Sequence, residues 1–264
     1  MQSEGVQTVE RALAILNCFT NEDDIWGVTE LSKKLELSKS VIHRILVTLH
    51  RNGFVDKDVY TDKYRLGMKV IELGKVATNQ LGLRKIALPI MQEMGKVTGE
   101  SVLLTKKQGK MGLGIEIVEG PYSIAIRAAF GIGLPLHCGA SKKVLLAFQT
   151  QEFIDTYLQN ENLIRVSDKG RIDANILKEE LTRIRQEGVA VTAGDVDFGA
   201  YGVAAPIYDD NGNVFASISV SGRSFGFLEE RAEQISLLVK KAAREISVKL
   251  GYPHHGVKGE EFDK

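Results

Sequence analysis

The chain is poor in cysteine, in net charge and in long apolar runs, and each shortage removes a class of protein. Of its 264 residues only Cys18 and Cys138 are cysteines. They lie far apart and have no metal-ligating neighbour at Cys-x-x-Cys or Cys…His spacing. Two reduced thiols of a cytosolic protein are therefore expected, not a disulfide framework or a zinc site. No apolar run approaches the roughly 18 residues that a membrane span needs. The amino terminus is polar and lacks the apolar stretch of a secretory signal, so the expected location is the cytoplasm, with no membrane partner. Lysine plus arginine and aspartate plus glutamate balance at 34 each, so total charge points to no nucleic-acid partner. Catalytic signatures are missing too. There is no Gly-x-x-x-x-Gly-Lys-Ser/Thr loop, no His-Glu-x-x-His pair, and no nucleophile beside a base at a recognisable spacing. Gly131-Ile132-Gly133 is too short for a cofactor loop, and His254-His255 are read as incidental tail histidines. No enzyme activity, cofactor or metal is expected.

What is present is ordinary globular composition, 44% apolar and 26% charged, in a chain long enough for two domains. The zero net charge hides an asymmetry. From Leu31 to Phe54 five basic residues (Lys33, Lys34, Lys39, Arg44, Arg51) face one acid, Glu36, and the segment just before, Asn21 to Asp24, is acidic. Apolar spacing predicts a helix over 8–19 with Val9, Ala12, Leu13 and Leu16 inward and Thr8 as cap, then a short helix over 30–35 capped by Thr29. A third helix follows from Ser38 to Asn52, with Val41, Ile42, Ile45, Leu46 and Leu49 as its buried face. Two short strands around a polar turn come next, 54–56 and 64–66, and then a helix over 67–81.

If that third helix buries its apolar face, its outward amino-terminal side carries Lys39, Ser40, His43 and Arg44, with Thr48 further along. Such donors and cations reach base edges and phosphates, and the helix end adds its own positive field. The hairpin carries Lys57, Lys63 and Arg65 with Tyr60 and Tyr64 between them, which suits a wing along the phosphate backbone. Cap, turn, helix and wing arrive in the order of a winged helix-turn-helix.

The second half mixes strands and helices. Strands are expected over 100–108, 113–118, 123–129, 189–193, 203–208 and 214–220. Helices are expected over 140–148, 151–159 after the cap Thr150, 173–186 after the cap Asp173, and 229–250. The tail from Gly251 reads as polar and disordered. The fold class is α+β in two domains: residues 1–66 a winged helix-turn-helix, 67–82 a linker helix, 83–251 an antiparallel sheet with helices, and 252–264 a tail.

Four blocks in order carry a family resemblance: VQTVERALAIL from Val6, TELSKKLELSKSVIHRILVTLHRNGFV from Thr29, Tyr64-Arg65-Leu66-Gly67, and GLPLHCGASKKVLLA from Gly133. Gly199 to Asp209 and Ser217 to Gly222 add two more. On these the chain resembles the IclR-type (isocitrate lyase regulator) bacterial transcription factors from about Val6 to Leu250. The resemblance implies a profilin-like or GAF-like effector domain that senses a small organic acid and tunes binding to double-stranded operator DNA. It implies dimers that often pair as tetramers, with a pocket lined by Gly139, Ala140, Ser141, Asp195, Gly202, Ser219 and Ser221.

Strand alternation places Ser219 and Ser221 on one face, where both hydroxyls can meet one carboxylate, and a helix starting near Ala140 offers unpaired N–H groups to an anion. The same serines can instead satisfy neighbouring backbone, and His137 and Cys138 are read as structural rather than as ligand contacts. Two departures stand out. The family commonly has Gly-Lys where this chain has Lys142-Lys143, and Lys142 strengthens an anion preference only if it points inward. The polar cap on the ligand is also open between Asp195, Asp197 and Thr192. The competing reading is a small-molecule-metabolising enzyme with an accessory nucleic-acid-binding domain. Dimer contacts are assigned to Val70, Leu73 and Val76 of the linker helix.

Overall fold

The structure, a computed structural model, describes residues 6–20, 23–79, 82–121, 130–225 and 227–253. The chain divides into two compact units, Met1–Gln80 and Leu81–Lys264. Among the described residues no helix is long and apolar enough to cross a membrane.

The first unit holds α1 (Gln7–Leu16), α2 (Val28–Lys34), α3 (Lys39–Arg51), the antiparallel strands β1 (Val55–Lys57) and β2 (Tyr64–Leu66), and α4 (Met68–Asn79). Its core gathers Ile15, Leu31, Ile42, Leu46, Val55 and Tyr64, all essentially without solvent. The face expected for α1 is corrected. Val9 and Leu13 stand half-exposed, and Ile15 with Cys18 turns inward instead. Since α1 is apolar on several sides, periodicity allows more than one burial solution, and packing on α3 selects Ile15. Two caps also move. Thr8 and Thr29 lie inside their helices, and the capping positions are Val6 and Gly27. At α2 the Gly27 N–H donates to the Glu30 carboxylate at 2.7 Å. Ser38 does cap α3 by position, but its hydroxyl meets that of Ser40 at 3.1 Å and not a backbone N–H. Tyr64, expected on the wing surface, is buried and bridges to Trp26. The wing closes on the end of α3 through glycine: a Cβ on Gly67 would stand 2.3 Å from the Gly53 carbonyl oxygen.

The second unit opens with α5 (Gly82–Thr98) and the hairpin β3 (Ser101–Gln108) and β4 (Met111–Val118). The short β5 (Gly133–Pro135), unforeseen in the sequence, leads to α6 (Ala140–Ala147), α7 (Gln151–Asn160) and α8 (Ala174–Glu187). Then come β6 (Ala190–Ala193), β7 (Ala200–Tyr208), β8 (Val214–Arg223) and α9 (Glu229–Lys249). Thr150 and Asp173 cap α7 and α8 with their side chains, as their types predict. The strand expected at 123–129 and the tail from His254 lie outside the described residues. Six strands form one antiparallel sheet in the order β5-β4-β3-β8-β7-β6. One face packs Leu104, Val203 and Ile218 against α5 and α9. The other face meets α6, behind which α7 and α8 build a second core around Val144, Leu146, Tyr157 and Leu181. That second face is unusual for a packed sheet: β8 presents Ser217, Ser219 and Ser221 there, and β7 presents Gly202. Small and polar residues at this place leave room beneath α6.

Candidate functional site

In the first unit α3 divides as its spacing predicts. Ile42, Ile45, Leu46 and Leu49 are buried, whereas Lys39, Ser40, His43, Arg44 and Thr48 are exposed. The Thr48 hydroxyl donates back to the Arg44 carbonyl at 3.0 Å, which leaves its lone pairs outward. On the hairpin Arg65 is exposed, while two cations are already engaged. Lys57 lies 2.6 Å from Asp62 and Lys63 lies 2.7 Å from Glu30. Lys63, and after it the Gly27 N–H, hold the Glu30 carboxyl below its ordinary value. Lys63 thus also ties the wing to the cap of α2, a role its position in the sequence did not show. Arg44, Lys39 and Arg65 form no ion pair among the described residues, so they are the cations open to phosphate or base without exchange of a partner.

In the second unit one cavity, about 50 Å³ in volume, lies at the amino end of α6 above the sheet. All seven residues singled out for an effector line it: Gly139, Ala140, Ser141, Asp195, Gly202, Ser219 and Ser221. Gly139 has φ +75°, a conformation that side chains other than glycine rarely adopt, and a Cβ there would press within 2.9 Å of Val196 Cγ2. Gly202 brings β7 close under the helix: its Cβ would lie 3.4 Å from the Ala140 Cβ. The Ala140 N–H is taken, donating to Thr192 Oγ1 at 3.1 Å. The N–H groups of Gly139 and Ser141 have no acceptor among the described residues. The two serines divide. Ser221 donates to the Tyr201 carbonyl at 2.8 Å, the backbone-satisfying alternative that the sequence left open for these serines. Ser219 is buried on the cavity wall with no hydrogen-bond partner among the described residues.

The paired lysines at the start of α6 fare differently. Lys143 points away from solvent into a triad, with Nζ 2.9 Å from both Glu180 oxygens and 2.7 Å from Asp195 Oδ2. Burial alone would lower the Lys143 ammonium, but the Asp195 and Glu180 charges outweigh it and hold it above the ordinary lysine value. Asp195 therefore lines the cavity with its charge already matched. Lys142 is among the residues around the cavity and is 2% exposed; its Cγ lies against Gly112, and among the described residues its ammonium has no ion pair and no hydrogen bond. Burial pushes it down to about 8. Nothing in the sequence marked Glu180 as the third member of the triad. Helical periodicity shows which residues face inward, not which charges meet across 37 residues.

His137 sits in the second core, one ring nitrogen 2.9 Å from the Tyr157 hydroxyl and the other 3.1 Å from the Ile164 carbonyl. Burial lowers its basicity. Cys138 is buried beside it, its thiol raised to about 11 by burial, and it does not line the cavity. Among the described residues no group of three His, Cys, Asp or Glu is placed to hold a metal.

Comparison with known proteins gives consistent matches along the whole chain. The profile described as "IclR helix-turn-helix domain" matches residues 8–59, and that described as "Bacterial transcriptional regulator IclR C-terminal" matches residues 75–248. The chain is 30% identical over 252 residues to the HTH-type transcriptional regulator KipR of Bacillus subtilis (strain 168), spanning 96% of this chain and 100% of that one. It is 29% identical over 251 residues to the HTH-type transcriptional regulator KdgR of Escherichia coli (strain K12), with 95% of each chain covered. Among solved structures it is similar to the IclR of Thermotoga maritima, at 34% identity and a TM-score of 0.72 over 93% of this chain and 99% of that one. An IclR homolog of Microbacterium hydrocarbonoxydans complexed with 4-hydroxybenzoate shares the fold, at 24% identity and a TM-score of 0.79 over 92% and 98% of the two chains.

Proposed function

The chain belongs to the IclR family of bacterial transcriptional regulators and is an effector-responsive DNA-binding regulator, and from that premise we propose which residues carry each half of the function. Lys39, Ser40, His43 and Arg44 read the major groove from the amino-terminal half of α3, with Thr48 at its flank. Lys57, Lys63 and Arg65 meet phosphate from the wing, the first two by exchanging a carboxylate for it. The effector is a small organic acid at the amino end of α6, held by the Gly139 and Ser141 N–H groups and the Ser219 hydroxyl. One observation carries this reading: the donors left without acceptors gather around a single cavity, where an anion satisfies them. That a relative of the same fold was crystallised with 4-hydroxybenzoate supports an acid as the class of ligand. The cavity serves sensing and not turnover, and the protein works in the cytoplasm, where its operator is.

The regulator acts as a dimer. Leu73 and Val76 of α4 stand 46% and 52% exposed, with Met68 and Ile71 more so, an apolar surface suited to a two-fold partner. The effector changes operator affinity only by its different affinity for two forms of the protein, and operator changes effector affinity by the same factor. The test is selection of binding sites from a random DNA pool by the purified full chain. The selected duplex is then titrated with and without small carboxylates. A site that binds the wild type and is lost with Arg44→Ala is expected. Retention of affinity by Arg44→Ala, or turnover of any carboxylate into product, overturns the corresponding half of the proposal.

A further inference from the structure

A second cavity of the second unit, about 570 Å³ in volume, opens where β3 begins, β8 ends and α9 starts. Its wall joins Glu100, Tyr201, Arg223 and Arg231. Tyr201 turns its ring into the core between the sheet and α9, whereas its neighbour Gly202 faces α6. The charged ends on this wall converge. A Cβ on Gly222 would collide with Glu100 Oε2, so the carboxyl lies over β8 next to Arg223, and the Arg231 and Arg223 charges both act on it. Arg231 also donates to the Thr98 carbonyl at 2.9 Å. Arg223 is exposed, and its guanidinium forms no ion pair or hydrogen bond among the described residues. The Tyr201 hydroxyl lies beside the Glu100 carboxyl, yet neither it nor Glu100 Oε2 meets hydrogen-bond geometry with any described residue. Burial raises the Glu100 carboxyl above its ordinary value, and the hydroxyl and the two arginines, which act the other way, do not offset it. A donor carrying positive charge would therefore be favoured there. The rim is apolar. Phe227 stacks on Tyr201 with ring centroids 3.6 Å apart, and Phe225 and Leu228 stand 98% and 67% exposed beside it.

We propose that this cavity is a second ligand site, separate from the one under α6, and that it takes an apolar α-amino acid. The carboxylate meets Arg223, the ammonium meets the Glu100 carboxylate, and the side chain lies across Phe225, Phe227 and Leu228. Charge decides the class. Arg223 and Arg231 are matched on the same wall by Glu100 and Glu230, so it favours neither a plain anion nor a plain cation. An α-amino acid presents both signs on adjacent atoms, and the exposed aromatic rim needs an apolar body to cover it. The volume falls within the roughly 300–1,000 Å³ of small-molecule sites. Binding is non-covalent, and the proposal does not depend on what occupies the cavity under α6.

The test is calorimetric titration of the full chain with L-phenylalanine and L-leucine. Beside them stand phenylpropionate, which lacks the ammonium, phenethylamine, which lacks the carboxylate, and glycine, which lacks the apolar body. At least one of the two amino acids is expected to bind. Each truncated analogue should bind about tenfold more weakly or worse, as loss of a charge-assisted contact or of the buried side chain implies. Arg223→Gln changes an exposed side chain and should weaken the amino acid by about tenfold or more. Glu100→Gln, checked for folding by its melting temperature, should do the same. Failure of both amino acids to bind, or binding of phenylpropionate or phenethylamine as tight as theirs, overturns the ligand class. A loss under tenfold in Arg223→Gln removes the site. Binding that is lost in Ser219→Ala and kept in Arg223→Gln places the amino acid under α6 and overturns the proposal.

Discussion

Replacing Lys142 with methionine should make the protein more stable, the opposite of what removal of a buried residue usually does. Burial takes the ammonium from 10.5 to about 8, and each unit corresponds to about 1.4 kcal/mol between the two protonation states. The charge therefore destabilises the folded chain by up to about 3 kcal/mol when protonated. Methionine keeps most of the apolar stem that packs against Gly112 and discards the charge, so a gain of about 1–3 kcal/mol is expected. For a unit of this size that raises the melting temperature by about 3–10 °C.

The pH dependence is the sharper part. Below about pH 8 the amine is protonated in folded and unfolded chains alike, and its destabilisation is fully present. Between about 8 and 10.5 the unfolded chain keeps the proton that the folded chain releases, so wild-type stability rises with pH relative to the variant. Scanning calorimetry of both proteins at pH 7 and 9.5 should show a gap that is widest at pH 7 and narrower at 9.5. Lys143 does not interfere, because its raised value places its own titration above that window. A variant less stable than wild type at pH 7, or a gap equal at both pH values, would refute the reasoning.

Other substitutions give separate signs. Lys143→Met should lower stability by about 2–4 kcal/mol, since it leaves the Glu180 and Asp195 carboxylates, both less than one-fifth exposed, without their cation; thermal melting of the full chain reads this. Gly202→Val should leave the fold within about 2 kcal/mol of wild type, because Gly202 needs no special backbone angle. Its methyl groups would nonetheless crowd Ala140 and Thr192 and abolish any thermal shift by small acids. Arg44→Ala should weaken the selected operator more than random DNA, by about 1–3 kcal/mol in a gel-shift at fixed salt. Lys63→Ala should weaken both about equally and lower the salt slope by less than the usual unit per phosphate contact, since Lys63 must first leave Glu30. Leu73→Glu should shift the sedimentation of the full chain toward monomer at micromolar concentration if α4 forms the two-fold contact.

The order of elements was legible in the sequence because it rests on local signals. Asp173 and Thr150 mark their helix starts by capping, and the Asp209–Asn213 turn separates β7 from β8 as its composition requires. Alternation along β8 predicts Ser219 and Ser221 on one face, and the register agrees, with Ser217 joining them. Sequence pattern and structure part where two local solutions tie. On α1 the pairs Val9 with Leu13 and Ile15 with Cys18 are both acceptable stripes, and only tertiary contact chooses between them. Hydrogen-bond partners were the least legible. Nothing near Ser221 in the chain says that its hydroxyl goes to Tyr201, nor that Thr192 takes the Ala140 N–H across 52 residues. That the Lys142 stem lies against Gly112 depends on the register of β4, which nothing near Lys142 in the chain states.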